Sequence, residues 1–160
     1  IPEDRIMTVT NTLTNTLITG LVIEDGGQLM HSNEGTQATV KKDVVAYTND
    51  NDGWYLIASP LLANTAVTEV SNMLSNDYDL YYYDEPTYYW MNQEFAENNF
   101  TELENGQGYL YANNEAVTLE FAGELQNGSA MVNVPLSYTA NIPLSGFNLV
   151  GNPFAHNVTS

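Results

Sequence analysis

Tyr78-Asp79-Leu80-Tyr81-Tyr82-Tyr83-Asp84-Glu85-Pro86-Thr87-Tyr88-Tyr89-Trp90-Met91-Asn92 contains two aromatic and aliphatic runs separated by turn formers. Tyr and Trp pack well on a pleated surface while Asp and Pro interrupt it. The stretch therefore predicts two strands, Tyr78 to Tyr83 and Tyr88 to Asn92, joined by a turn at Asp84 to Thr87. Successive strand side chains point to opposite faces, which puts Leu80 and Tyr82 on one face and Tyr81 and Tyr83 on the other. Both faces carry aromatic rings, and a core needs only one.

The same rhythm extends outward from the hairpin. Runs rich in Val, Ile, Leu, Tyr and Thr, bounded by Gly, Asn, Asp and Pro, predict further strands. These are Thr16 to Glu24, Ala38 to Tyr47, Gly53 to Ala58, Tyr109 to Ala112, Ala116 to Phe121, Ala130 to Val134 and Phe147 to Gly151. That number of short strands points to an all-β, two-sheet sandwich of jelly-roll-like type. One segment breaks the alternation: Val67, Val70, Met73 and Leu74 fall at helical spacing and predict a short helix within Thr65 to Leu74. Up to about residue 45, β-branched runs meet glycine corners, as in Leu17 to Leu29, which suits a β-solenoid rung or a capping strand pair. A single rung does not make a solenoid, whose repeats share a core only when stacked. The expectation is one domain over 1–160, with 1–45 as solenoid-like or capping strands and 46–160 as the sandwich.

A repeat stands out. Gly53-Trp54-Tyr55-Leu56-Ile57-Ala58-Ser59-Pro60-Leu61-Leu62-Ala63-Asn64 aligns without gaps to Gly146-Phe147-Asn148-Leu149-Val150-Gly151-Asn152-Pro153-Phe154-Ala155-His156-Asn157. Gly admits a tight turn, the aromatic and Leu positions alternate onto one face, and Pro cannot continue a hydrogen-bonded ladder. The pattern describes a strand that leaves its sheet at a proline.

Composition narrows the function. The 160 residues hold 3 Lys or Arg against 20 Asp or Glu, a formal net charge of −17. With Arg5, Lys41 and Lys42 as the whole basic complement, no stripe can neutralise a run of phosphates, so nucleic acid is excluded as an ordinary partner. Anionic membrane surfaces are disfavoured by the same repulsion, and no apolar run is long enough to span a bilayer. Like-charge repulsion also makes the monomer the default expectation. Cysteine is absent, which removes disulfides, thiolate nucleophiles and cysteine-ligated metals. A chain of this length buries about 70% of its unfolded surface, enough to fold without such staples. Ile1-Pro2-Glu3-Asp4-Arg5 has neither the basic nor the apolar region of a signal peptide, so the chain reads as a mature or trimmed product.

Catalytic signals are weak. His31 and His156 are the side chains that titrate near neutral pH, and neither sits in a nucleophile motif; each reads as a loop or turn residue. The many carboxylates make a glycosidase pair arithmetically possible, but Glu102, Glu104, Glu115, Glu120 and Glu124 fall where solvated strand faces and turns would put them. Gly106-Gln107-Gly108 precedes a strand and not a helix, so it is a turn and not a dinucleotide fingerprint. Asn99, Asn127 and Asn157 open glycosylation triplets that carry meaning only in a eukaryotic source. Asn49-Asp50-Asn51-Asp52-Gly53 offers oxygen ligands of the kind calcium prefers, with Asp50 and Asp52 as the candidate ligands. Against an EF-hand, Thr48 replaces the first Asp and Ser59 the bidentate Glu, and a hairpin tip explains the loop more simply. No other cofactor is indicated. The candidate contact surface is the aromatic hairpin, with Tyr81, Tyr83, Tyr88 and Trp90 as candidate ligand-binding residues. Flat rings stack on the C–H faces of sugars and serve protein recognition equally, whereas cross-strand aromatic pairs also simply stabilise a hairpin.

Taken in order, Ile23-Glu24-Asp25-Gly26-Gly27-Gln28-Leu29, Gly53-Trp54-Tyr55-Leu56-Ile57-Ala58-Ser59-Pro60, Gly106-Gln107-Gly108-Tyr109-Leu110-Tyr111-Ala112 and Gly146-Phe147-Asn148-Leu149-Val150-Gly151-Asn152-Pro153-Phe154 resemble a segment of large secreted or surface-anchored proteins of Bacteroidetes. The resemblance spans most of the chain. It implies an exported, adhesin-like protein, secreted or held at the cell surface, of which this chain is a fragment preceding a C-terminal secretion-sorting tail. The shared motifs are strand and turn signatures and bring no catalytic residues with them. The expectation is a non-enzymatic domain for adhesion or recognition of a glycan or a host or cell-surface protein. A structural spacer and a carbohydrate-active enzyme domain are the alternatives.

Overall fold

Alternation of apolar and polar side chains builds two principal sheets, each using one face for a shared core. The computed structural model describes residues 1–48 and 52–158. Among them the strands are β1 (Ile6–Thr8), β2 (Val22–Ile23), β3 (Gln28–Met30), β4 (Gln37–Val44), β5 (Tyr55–Ile57), β6 (Thr65–Ala66), β7 (Tyr78–Asp84), β8 (Tyr89–Asn92), β9 (Glu102–Leu103), β10 (Tyr109–Asn113) and β11 (Val117–Glu124). Single 3-10 turns occur at Val67–Glu69 and Ala96–Asn98. One sheet has the antiparallel order β5-β10-β7-β8; the other has the order β11-β4-β2. Parallel β1–β3 and antiparallel β6–β9 ladders complete the all-β sandwich.

In the first sheet, Tyr111 lies opposite both Tyr55 and Leu80, and Tyr109 lies opposite Ile57. Directly opposed residues share a face, so these side chains with Tyr82 form the inner face. In the second sheet Val44 opposes Val117 and Val40 opposes Phe121. The intervening positions are polar and tied at the surface: the Thr118 hydroxyl donates to Asp43 at 2.6 Å, and Lys41 bridges Glu24 and Glu120 at 3.5 and 3.7 Å. The inner faces meet in one buried cluster holding Ile57, Leu80, Tyr109 and Tyr111 from the first sheet and Val44, Leu119 and Phe121 from the second. Ile23 and Leu29 are fully buried in the same cluster, so the segment before Val45 shares the sandwich core. Its strands carry the parallel pairings, β1 with β3 and β2 with β4.

Several expected elements take another form. The helix within Thr65 to Leu74 is a two-residue strand followed by one 3-10 turn. Val67, Val70 and Met73 recur every three residues and are all buried, the spacing of a three-residue turn, and Asn72 at φ 64° breaks any longer helix. The strand expected at Ala130 to Val134 does not form: the segment pairs with no strand among the described residues, and Val134 packs on the Gly106 turn, where a Cβ would lie 2.5 Å from its Cγ2. Thr16 to Glu24 shortens to Val22–Ile23. Phe147 to Gly151 forms a single bridge, Val150 to Gln107, flanked by Gly108 N to Leu149 O at 3.0 Å and Gly151 N to Gly106 O at 2.8 Å. Beside it the Asn148 amide replaces a ladder, accepting from Ser137 N at 3.0 Å and donating to Ser137 O at 2.9 Å.

Candidate functional site

The outer face of the β5-β10-β7-β8 sheet is built by strand register. Leu56 opposes Leu110, Leu110 opposes Tyr81, and Tyr81 opposes Asn92, so these four form a row across all four strands. Two residues along β7, Tyr83 opposes Trp90. Trp54, two residues before Leu56 and hence on the same face, places its ring 6.4 Å from that of Tyr81. Leu56 is 69%, Trp90 42% and Trp54 38% exposed. Apolar side chains in such numbers on the outside of a sheet are not explained by its core.

The four residues singled out from the hairpin divide. Tyr81 is half-buried at the centre of the face and donates its hydroxyl to Asp79 Oδ1 at 2.7 Å. Burial, and then Asp79 as hydrogen-bond partner and negative neighbour, push its phenol up to about 12. It stays a neutral donor across the physiological range. Trp90 is an open contact. Tyr83 is only 8% exposed, enclosed edge-on by Trp90 at 5.4 Å and Phe147 at 5.1 Å; it supports the face from beneath. Tyr88 sits outside the sheet at the turn, with φ 63° and its ring 6.3 Å from that of Tyr89.

Trp54 and Phe147 join this face through topology, since nothing in the hairpin itself announces them. The signal was the repeat. Both follow a glycine of positive φ, Gly53 at 85° and Gly146 at 76°, and both land on outer-face tyrosines two positions apart, Trp54 on Tyr81 and Phe147 on Tyr83. The two copies also reach one strand and its lead-in: the first pairs with Tyr109–Tyr111, the second with Gly106–Gly108.

Glu85, in the turn between β7 and β8, holds the second copy in place. Its side chain is buried; Oε1 accepts from Gly146 N at 2.7 Å and Thr139 N at 2.8 Å, and Oε2 accepts from the Thr139 hydroxyl at 3.0 Å. The hydrogen bond from Gly146, with those from Thr139, lowers its pKa against the opposing effect of burial. These bonds make Glu85 a clamp that ties Thr139 and Gly146 to the hairpin turn. His31 is buried, neither ring nitrogen has a partner among the described residues, and burial holds its pKa down. His156 stacks on Phe154 with ring centroids 5.4 Å apart.

Of the candidate calcium ligands, Asp50 lies outside the described residues. Asp52 is exposed, and its carbonyl accepts from Thr48 N at 3.3 Å, closing the loop ends as a turn would. Among the described residues no group of three or more His, Cys, Asp or Glu is placed to hold a metal ion, and no helix is long and apolar enough to cross a membrane. Comparison of the chain with protein-family models, curated proteins and solved structures returns no match.

Proposed function

We propose that the chain is a non-enzymatic recognition module of an exported bacterial surface protein of the Bacteroidetes type, binding a glycan or a cell-surface protein through the outer aromatic face. The observation that carries this reading is the row Leu56, Leu110 and Tyr81 with Trp54 and Trp90 beside it, an apolar surface continuous across strands and open to solvent. Contiguous exposed apolar patches are a feature of interaction sites. Rigid rings offer contact area at low entropic cost, and the Tyr81 hydroxyl and Asp79 carboxylate supply the polar component. With a charge of −17, partners that are neutral or basic are favoured over anionic ones.

The test is binding of the chain to a broad glycan panel and to extracted cell-surface proteins, with calcium and with chelator. Saturable binding that survives chelator supports the reading. Binding lost in chelator assigns a role to the Asn49 to Asp52 loop, and no binding to either panel favours a structural spacer.

A further inference from the structure

We propose that the cleft between β4 and β5 is a second binding site, for a neutral saccharide, separate from the aromatic face and independent of it. The sandwich is open on this side. β5 is an edge strand, and β2 pairs with β4 only at Thr39 and Val40, so among the described residues Lys41–Val44 have no strand beside them there. Between these edges lies an open cavity of about 530 Å³, a volume suited to a small-molecule ligand.

Lys42 marks the cavity as more than a gap. Along β4 the inward positions are Ala38, Val40, Lys42 and Val44, opposed by Gly123, Phe121, Leu119 and Val117. A lysine at a core-facing position breaks the pattern that the rest of the strand obeys, and such breaks concentrate at functional sites. Its ammonium donates to both Asp25 oxygens, at 3.0 and 2.8 Å, and lies 5.2 Å from the centroid of the Tyr55 ring. An ammonium has three donors and a carboxylate about four acceptor sites. The pair therefore retains one donor and two acceptors for a ligand.

Charge selects the ligand class. The two lysines at the cavity are already matched, Lys42 by Asp25 and Lys41 by Glu24 and Glu120, and Asp4 adds a further negative charge. An anion meets no unmatched cation among the residues lining the cavity, and a cation meets the Lys42 ammonium on the inward face of β4. A hydroxyl accommodates both signs, donating to Asp25 and accepting from Lys42. The walls supply the apolar half of sugar recognition: Val40, Ile57, Pro60 and Phe121 line the interior, and Phe154, stacked on His156, lines the rim. Ring faces against sugar C–H groups and a charged pair against hydroxyls make up a polyol site.

The experiment is amide NMR of the whole chain titrated with glucose, galactose, mannose, N-acetylglucosamine and their disaccharides, beside glucuronate and glucosamine as charged counterparts. The expected result is saturable shifts at Gly26, Gly27 and Ala155 with at least one neutral sugar. Lys42→Met and Phe154→Ala should each weaken binding about tenfold or more, while Trp54→Ala with Trp90→Ala leaves it unchanged. If Lys42→Met does not fold, Phe154→Ala and Asp25→Asn carry the comparison. The proposal is overturned if no neutral sugar shifts those amides at tens of millimolar, if a charged counterpart binds there as well as the neutral sugar, or if the Trp54 and Trp90 changes abolish the shifts.

Discussion

Removing one hydroxyl from each face of the β5-β10-β7-β8 sheet separates scaffold from surface. Tyr111, on the inner face, is fully buried; its hydroxyl donates to Met73 O at 2.9 Å and accepts from Asn113 Nδ2 at 3.0 Å. In Tyr111→Phe the Asn113 amide keeps Ser75 O at 2.9 Å, but the Met73 carbonyl loses this donor inside the core. An unsatisfied buried acceptor costs about 1–3 kcal/mol, a large part of the roughly 5–15 kcal/mol that holds a domain folded. For a domain of this size that lowers Tm by about 2–12 °C. The Tyr81 hydroxyl, on the outer face, donates to Asp79 in a part-buried position where solvent can replace it, so Tyr81→Phe should cost less than Tyr111→Phe, about 1 kcal/mol or below. Urea unfolding followed by tryptophan fluorescence and far-UV circular dichroism reads both, with unchanged m-values as the check on two-state behaviour. Equal losses in the two variants, or a larger loss for Tyr81→Phe, would refute the assignment of faces, because the outer row would then be structural.

Glu85→Gln should speed amide exchange at Thr139 and Gly146 and leave β7 and β10 unaffected, since one amide oxygen cannot accept all the bonds the carboxylate accepts. The folded-state pKa of Glu85 lies below its ordinary 4.5, so its stabilising contribution is complete above that value and is lost as pH falls through the lowered one; exchange against pH in the wild type and in Glu85→Gln, which lacks this dependence, checks the sign. Tyr81 should ionise near 12 in an ultraviolet titration, and Asp79→Asn should lower it only in part, because burial is the larger cause and remains. Because that pKa is raised on folding, the associated stability is present below 10 and declines as pH rises toward 12. Gly151→Ala would place a Cβ 2.3 Å from that of Ala58 and 2.5 Å from Gln107 O. It should destabilise the chain by about 1–3 kcal/mol, measured as a shift in the urea midpoint.

The hairpin Tyr78 to Asn92 was legible because its two runs of strand-forming aromatic and aliphatic residues flank a turn spelled by Asp, Glu, Pro and Thr, all local signals. β4 and β11 were legible because their apolar and polar side chains alternate. Ala130 to Val134 carries the same β-branched signal without forming a strand, since ladder formation needs a partner and residue type does not report one. Ile6–Thr8 and Glu102–Leu103 show the converse: both are strands supplied by a neighbour, with little alternation of their own. At the candidate site, the tyrosines of β7 could be divided between faces by parity, but the enclosure of Tyr83 by Phe147 depends on a segment more than sixty residues away. Leu56 and Leu110 enter the face only through the order β5-β10-β7. Lys42 interrupts the apolar alternation of its strand, but which of the adjacent Lys41 and Lys42 faces inward follows from the β4–β11 register.

The most direct test of the recognition reading compares the wild-type chain with Trp54→Ala, Trp90→Ala and their combination on whichever glycan or cell-surface protein the panel selects, after unfolding curves confirm that each variant is folded. The account predicts that each single change weakens binding and that the pair removes it, while the fold persists because neither ring belongs to the buried core. Undiminished binding by the folded double variant would contradict it.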